Sequence, residues 1–451
     1  MWGTGGRGSR CRRAATRAGA LTVAAAALAS IAACSPSSSH TTRPVVTVFG
    51  SFTDRDASAF TASLQSFEHD TGIDVRYVGS GRFESDLLER VRRGDPPDLA
   101  LIPQPGLVGS LAEEGYLLPY DGTLAAAAAK DIDPRLVDLA TVDGQIYGSW
   151  YSVTPKSLIW YSPRQFATRG LKTPTTWDEL VALTGTIADS GSTPWCLGVR
   201  DGGATGWVAT DWVEDIVLRF AGPQVYDDWV SHRVKFTDPQ ITAAIERFGS
   251  IALDPASVNG GNRAAVEFTV QQAAQQLLGR SPKCLLNRQA SFLTDFLPGK
   301  VDVSPDGDLW AFPFPGPQGA DTSMMIGGAL ISRFADRPEV RQLAEYLTTP
   351  AAAKERAARG GFISPLASVS PDAYPSELNR TIARWTLDAD VVRFDASDLM
   401  PPEVGVDAFW AGITAWLGGA RLSTIVAQID AAWPGPTTKP APVEDRGESE
   451  G

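Results

Sequence analysis

The sequence predicts an α/β protein, and three observations carry that reading. Apolar β-branched runs alternate with amphipathic helical stretches from residue 45 onward, the pattern of parallel βαβ units. Hydrophobic residues make up 43% and charged residues 20% of the chain, as expected of a globular protein with a sizeable core. The 451 residues are enough for two or three domains.

The elements follow in order. "RGSRCRRAATR" is basic without an acid, and "AGALTVAAAALASIAAC" is small and apolar. Residues 1–33 therefore read as a signal peptide, too short and alanine-rich in its apolar run for a spanning helix. Ser30 to Cys34, "SIAAC", resembles a bacterial lipobox, in which Cys34 takes a diacylglyceryl group. Two acyl chains hold a protein on the outer face of the cell membrane, since each buried methylene contributes about 0.8 kcal/mol. An ordinary secretory peptide with a chance cysteine is the alternative. Residues 34–44 are a polar tether.

"VVTVF" is a strand, and "DASAFTASLQSFEHDTG" places Phe60, Leu64 and Phe67 on one helical face with Gly72 as its stop. "IDVRYV" is a second strand, "RFESDLLERVRRG" a helix and "DLALI" a third strand. "DGQIYGSWYSVTPKSLIWY" supplies strand segments leading into a new region. "TTWDELVALTGTIADSG" carries a capping box, Thr176 with Glu179. "DPQITAAIERFGSIALDP" is helical, and the proline-punctuated "LWAFPFPGP" suits a crossover. "MMIGGALIS" is a strand with a glycine pair. "ADRPEVRQLAEYLTTPAAAKERAARGG" is helical, opened by Asp336 and Glu339 and stopped at Gly360. The remainder to Trp433 reads as mostly helical, and 434–451 as a disordered tail.

The net charge is -12, and -17 without residues 1–33, which hold five arginines and no acid. With no Lys/Arg run in the body of the chain, nucleic acid is excluded as a partner. An anionic ligand is disfavoured too, with Arg55 the opposing feature. His40, His69 and His232 have no nucleophile or metal-ligand neighbour at useful spacing. No GxSxG, HExxH or Walker loop is present, so no catalytic residue, cofactor or metal is expected. "DVSPDGD", Asp302 to Asp308, reads as a solvated acidic turn, because Pro313 stands where a calcium loop needs its closing glutamate. Beyond Cys11 and Cys34, only Cys196 and Cys284 remain, either as a disulfide or as two buried thiols. A bond would close a loop of roughly 90 residues and contribute about 4–5 kcal/mol in the chain-entropy account.

"TGWVATDW", Thr205 to Trp212, sets two flat rings and a carboxylate at the mouth of a helix. Aromatic rings cover the apolar faces of pyranoses, and carboxylates grip hydroxyls. A bland reading stands beside this one. Asp211 with Glu214 makes a cap, and Trp212, Ile216 and Phe220 make a buried stripe. If the helix starts instead near Gly206, Trp207 and Asp211 share one face.

"VTVFGSFTDRDASAF", "GDPPDLALIPQPG", "TPWCLGV", "GWVATDWVEDIVLR", "RGGFISPLASV" and "FDASDLMPPEVG" occur in the order found in the family 1 bacterial extracellular solute-binding proteins. Over about 45–433 the chain resembles that family, most of all its alpha-glucoside-binding branch. The resemblance implies a two-lobed fold, each lobe a mostly parallel sheet flanked by helices, with ligand in the cleft between. It implies one lobe from 45–150 with 315–362 and another from 151–314 with 363–433. It also implies that Cys196 and Cys284 pair. The expected function is a lipid-anchored monomeric receptor that captures a small carbohydrate and delivers it to ABC permease subunits. A secreted carbohydrate-active enzyme, and a receptor for a non-sugar polyol or for sensing, are the alternatives.

The ligand residues implied are Ser51, Phe52, Gln104, Trp150, Tyr151, Lys156, Trp207, Asp211, Trp212, Gly327, Gly328, Arg359 and Gly361. Two departures bear on the sugar. Asp54, Arg55 and Asp56 stand where the family often has glycine and two glutamates, and Val208 replaces a proline.

Overall fold

The computed structural model describes residues 43–297 and 300–434. The expected signal peptide, Cys34 and the residues beyond 434 lie outside the described residues.

The larger sheet begins as expected. Strands β1 (Val45–Gly50), β2 (Asp74–Gly79) and β3 (Leu99–Ile102) pair in parallel, with β1 central. Leu99 to Ile102 are wholly buried, which is why that strand reads as an unbroken apolar run. The connecting helix runs Asp54–Ser63, breaks at Leu64 and resumes at Gln65–Thr71. Phe60, Leu64 and Phe67 all face the core, and Gly72 closes the segment at φ 70°.

A small hairpin of β4 (Thr141–Val142) and β5 (Gln145–Ile146) precedes β6 (Ser149–Pro155) and β7 (Leu158–Tyr161). The second sheet joins β7 to β8 (Leu286–Arg288) and β9 (Trp310–Pro313). Both pairings are antiparallel, against the expectation of a mostly parallel sheet. Parallel contact in this region is, among the described residues, limited to isolated bridges from Trp195 to Val258 and Leu286, from Arg200 to Thr269 and from Val303 to Leu309. The segments between β7, β8 and β9 return each strand from the opposite end of β7, so no parallel crossover forms.

Strand β10 (Ser323–Arg333) is the longest in the structure. It pairs antiparallel with β3 and β6 and parallel with β11 (Val391–Phe394), a strand inside the segment expected to be mostly helical. Neighbouring residues of β10 enter different cores. Met324 and Ile326 belong to the core that holds β1 and β3, while Met325 belongs to the core that holds Trp195, Trp212 and Trp229. A side chain at Gly328 would collide with the Ser152 carbonyl, 2.4 Å from its Cβ, and with the Trp150 ring. The glycine therefore lets β6 and β10 approach.

The capping box forms as read. Thr176 accepts from the Glu179 N–H at 3.3 Å, and Glu179 accepts from the Thr175 and Thr176 N–H groups, at the head of helix Trp177–Asp189. The helical run after 336 splits into Pro338–Leu347 and Pro350–Ala357, because Pro350 starts a new helix capped by Thr349. Asp336 does not cap; it bonds Arg333 and Arg341. Cys196 and Cys284 are joined in a disulfide, with Cα atoms 5.3 Å apart.

Candidate ligand-binding cleft

Strands β1 and β3 end at Gly50 and Ile102, so the loops that begin at Ser51 and Pro103 stand at the carboxyl edge of the parallel sheet, where open α/β folds place ligands. Those loops form one wall of a cleft of about 360 Å³. The facing wall comes from helix Trp207–Phe220 and the Ser291–Phe296 turn.

Of the residues implied by sequence, Ser51, Phe52, Gln104, Tyr151, Lys156, Trp207, Gly327, Gly328 and Gly361 line the cleft. Trp150, Asp211, Trp212 and Arg359 do not. Trp150 and Tyr151 are neighbours on β6 and face opposite ways; Trp150 donates to the Leu136 carbonyl and packs on Phe394. Trp212 is enclosed by Trp195, Phe248 and Phe314. Arg359 is exposed and bonds the Ala62 carbonyl, while Arg356, nearly one turn earlier, is buried, lines the cleft and pairs with Asp56.

Helix Trp207–Phe220 starts at Gly206, so the capping reading of Asp211 does not hold and Trp207 and Asp211 share a face. Gly206 has φ 118°, and a side chain there would meet the Trp410 carbonyl 2.4 Å from its Cβ. Trp207 is half-buried, donates Nε1 to Asp201 at 2.8 Å and lies beside Phe292. Its ring centre is 5.3 Å from the Lys156 ammonium.

Beneath the cleft lies a buried charge network. Lys156 Nζ donates to Asp211 at 3.1 Å and also to Asp395. Arg288 donates to Asp211 at 2.7 Å and to Asp215 at 2.6 Å. Arg219 bonds Asp215 and donates to the Phe314 and Ser323 carbonyls. Ser157 Oγ donates to Asp215 and accepts the Met325 N–H. Burial raises the Asp211 carboxyl to about 6 against the pull of Lys156 and Arg288. Burial acts on Asp395 too, but Lys156 outweighs it and holds that carboxyl below its ordinary range. Asp211, Glu214 and Asp395 place carboxylate oxygens within 4.8 Å of one another, near enough to share one cation. The Lys156 ammonium, bonded to two of the three, already supplies positive charge there.

The lining also holds residues the sequence reading did not select: Glu84, Asp201, Phe292, Asp295, Asp398 and Trp410. Glu84 accepts from Gln104 Nε2 at 2.8 Å, and burial raises its carboxyl. Asp295 is pushed up to about 6, first by burial and then by Asp56. Asp398 lies in "FDASDLMPPEVG", one of the motifs quoted for the family, so a signal for it was present.

Residues 51–354 match the profile of the bacterial extracellular solute-binding protein family. The osmoprotective compounds-binding protein GgtB of Synechocystis sp. is 39% identical over 394 residues, covering 87% of this chain and 93% of that protein. The chain belongs to the bacterial extracellular solute-binding protein family. This solute-binding protein is also 36% identical over 397 residues to the alpha-glucosides-binding periplasmic protein AglE of Rhizobium meliloti, covering 86% of each chain. Among solved structures, a chitin oligosaccharide binding protein matches with a TM-score of 0.73 at 18% identity, over 86% of this chain and 97% of that one. The periplasmic-binding-protein-like α/β fold implied by the motifs is therefore the fold of this protein, except that its second sheet is antiparallel.

Proposed function

We propose that the protein is the receptor of an ABC importer for a small carbohydrate, an alpha-glucoside or similar oligosaccharide. The carrying observation is the cleft itself. About 360 Å³ is walled by aromatic faces and by carboxylates and an amide, at the carboxyl edge of the sheet. Rings take the apolar faces of a sugar and the polar groups take its hydroxyls. The name of AglE, an alpha-glucosides-binding protein, supports the same ligand class.

In this reading the lobes are 45–150 with 315–362 and 151–314 with 363–433, and the ligand is trapped by hinge closure. The charge network supports a hinge beneath the cleft, since it ties Lys156 and Ser157 between β6 and β7 to Ser323 in β10 and to Asp395 after β11. The receptor is a monomer, anchored through Cys34 on the outer face of the membrane, and hands its ligand to permease subunits without breaking a bond.

A thermal-shift screen of mono- and disaccharides tests the ligand class. A sugar at 100 times its Kd should stabilise the protein by about 2.7 kcal/mol. A panel that leaves Tm unmoved, or steady release of hydrolysed sugar, sinks the reading.

A further inference from the structure

The buried cations around the cleft are matched by carboxylates. Lys156, Arg219 and Arg288 are bonded to Asp211, Asp215 and Asp395, and Arg356 to Asp56. Glu214 accepts the Ala396 N–H, and burial with the nearby Asp395 holds it toward its neutral form. Besides Asp54 and Asp295, three cleft carboxylates are then left without a bonded cation among the described residues. Glu84 accepts from an amide and Asp201 from an indole. The Asp398 side chain, 6% exposed, bonds no cation among the described residues.

These three are gathered at one end. Glu84 is bonded to Gln104, which caps helix Pro105–Glu113. The Ala396–Leu399 turn that carries Asp398 packs on that helix. Asp201 reaches the same place from the other wall through Trp207. A second observation points to a missing donor there. Gln104 lines the cleft at 5% exposure, and its Oε1 is buried without a hydrogen-bond partner among the described residues. This corner thus offers an acceptor and three carboxyl groups beside Trp207, Phe83 and Trp410. Burial raises all three carboxyls, Asp398 well above its ordinary value, so a hydroxyl would leave them toward the neutral form while a cation would draw them to the charged one. A group with donors only and a positive charge matches the acceptor and the carboxylates together. Lys156, which also lines the cleft, is already committed to Asp211 and Asp395.

We infer that the corner formed by Glu84, Gln104, Asp398 and Asp201 receives a protonated amine carried on the sugar, so that the preferred ligand is a basic glycoside. The inference rests on the carbohydrate-receptor reading and names its ligand more closely.

Calorimetric titration at neutral pH tests it, with maltose and trehalose each as the neutral sugar, the mono-6-amino-6-deoxy derivative and the mono-6-uronate. The amine should bind at least about tenfold more tightly than its neutral parent, as charge-assisted bonds are stronger than neutral ones, and the uronate most weakly. In Glu84→Gln and Asp398→Asn the ratio of amine to neutral affinity should fall toward one. Either variant suffices if the other fails to fold. Neutral sugars bound as tightly as amines by the wild type, or a ratio unmoved in the folded variants, overturns this inference and leaves the carbohydrate receptor standing. Binding of none of the six by a folded wild type removes both.

Discussion

Trp207 turns its ring to the cleft, while Asp211, one turn later, shows its carboxylate only to Lys156 and Arg288. Their substitutions should therefore separate. Trp207→Ala removes a stacking face and should weaken sugar binding by about 1–3 kcal/mol, by analogy with base stacking on aromatics. Asp211→Asn leaves two buried cations short of a partner, and breaking such a pair costs about 3–5 kcal/mol. It should melt early in urea and, once folded, bind sugar nearly as the wild type does. Calorimetry on folded mutants decides; a large affinity loss in Asp211→Asn with an unchanged urea midpoint contradicts this division. Asp295 gives a pH dependence. Its folded carboxyl is at about 6, above the unfolded value, so the folded state holds the extra proton. Its contribution to stability is present at low pH and is lost as pH rises between about 4 and 6. Asp295→Asn should remove that slope and stabilise the unliganded protein at neutral pH by about 1–2 kcal/mol, allowing for partial exposure. Urea titrations across the range check it; parallel curves for mutant and wild type would falsify it.

At the scale of the element, the head of helix Trp207–Phe220 depends on a residue without a side chain. Gly206→Ala meets both a left-handed backbone and the Trp410 carbonyl, and should cost about 2–4 kcal/mol in a urea titration. A midpoint equal to wild type would show that the loop relaxes. That helix start also marks the limit of what the sequence made legible. Local patterns left Gly206 and Asp211 both open as its beginning, and the deciding contact comes from Trp410, some 200 positions away. Features complete within a few residues were legible: the Thr176–Glu179 box, the Gly72 stop and the first three strands. The direction of β8 and β9 was not, because strands of three or four residues carry no mark of which way their partner runs. Alternation along β6 announced that Trp150 and Tyr151 face opposite ways without saying which faces the cleft. Glu84, Asp201 and Asp295 each look like ordinary surface acids in sequence, and only the fold brings them to one opening with Asp398.

Across the whole molecule, the Cys196–Cys284 bond spans 88 positions. Replacing both cysteines with serine should lower stability by up to about 4–5 kcal/mol in the chain-entropy account. An unshifted denaturation midpoint would show that the unfolded chain is not the state being restrained. The charge network beneath the cleft has a different reach. Dissolved salt weakens attraction between exposed charges over a Debye length of about 8 Å at physiological ionic strength. It loosens surface pairs such as Arg341 with Asp121. Asp211, Asp215 and Arg288 have no exposed side-chain surface and Arg219 only 2%, so mobile ions have no room among them. A protein of an extracellular family meets whatever salinity its surroundings impose. Its buried charge network, with its counter-ions covalently tethered, keeps the same electrolyte in fresh water and in brine.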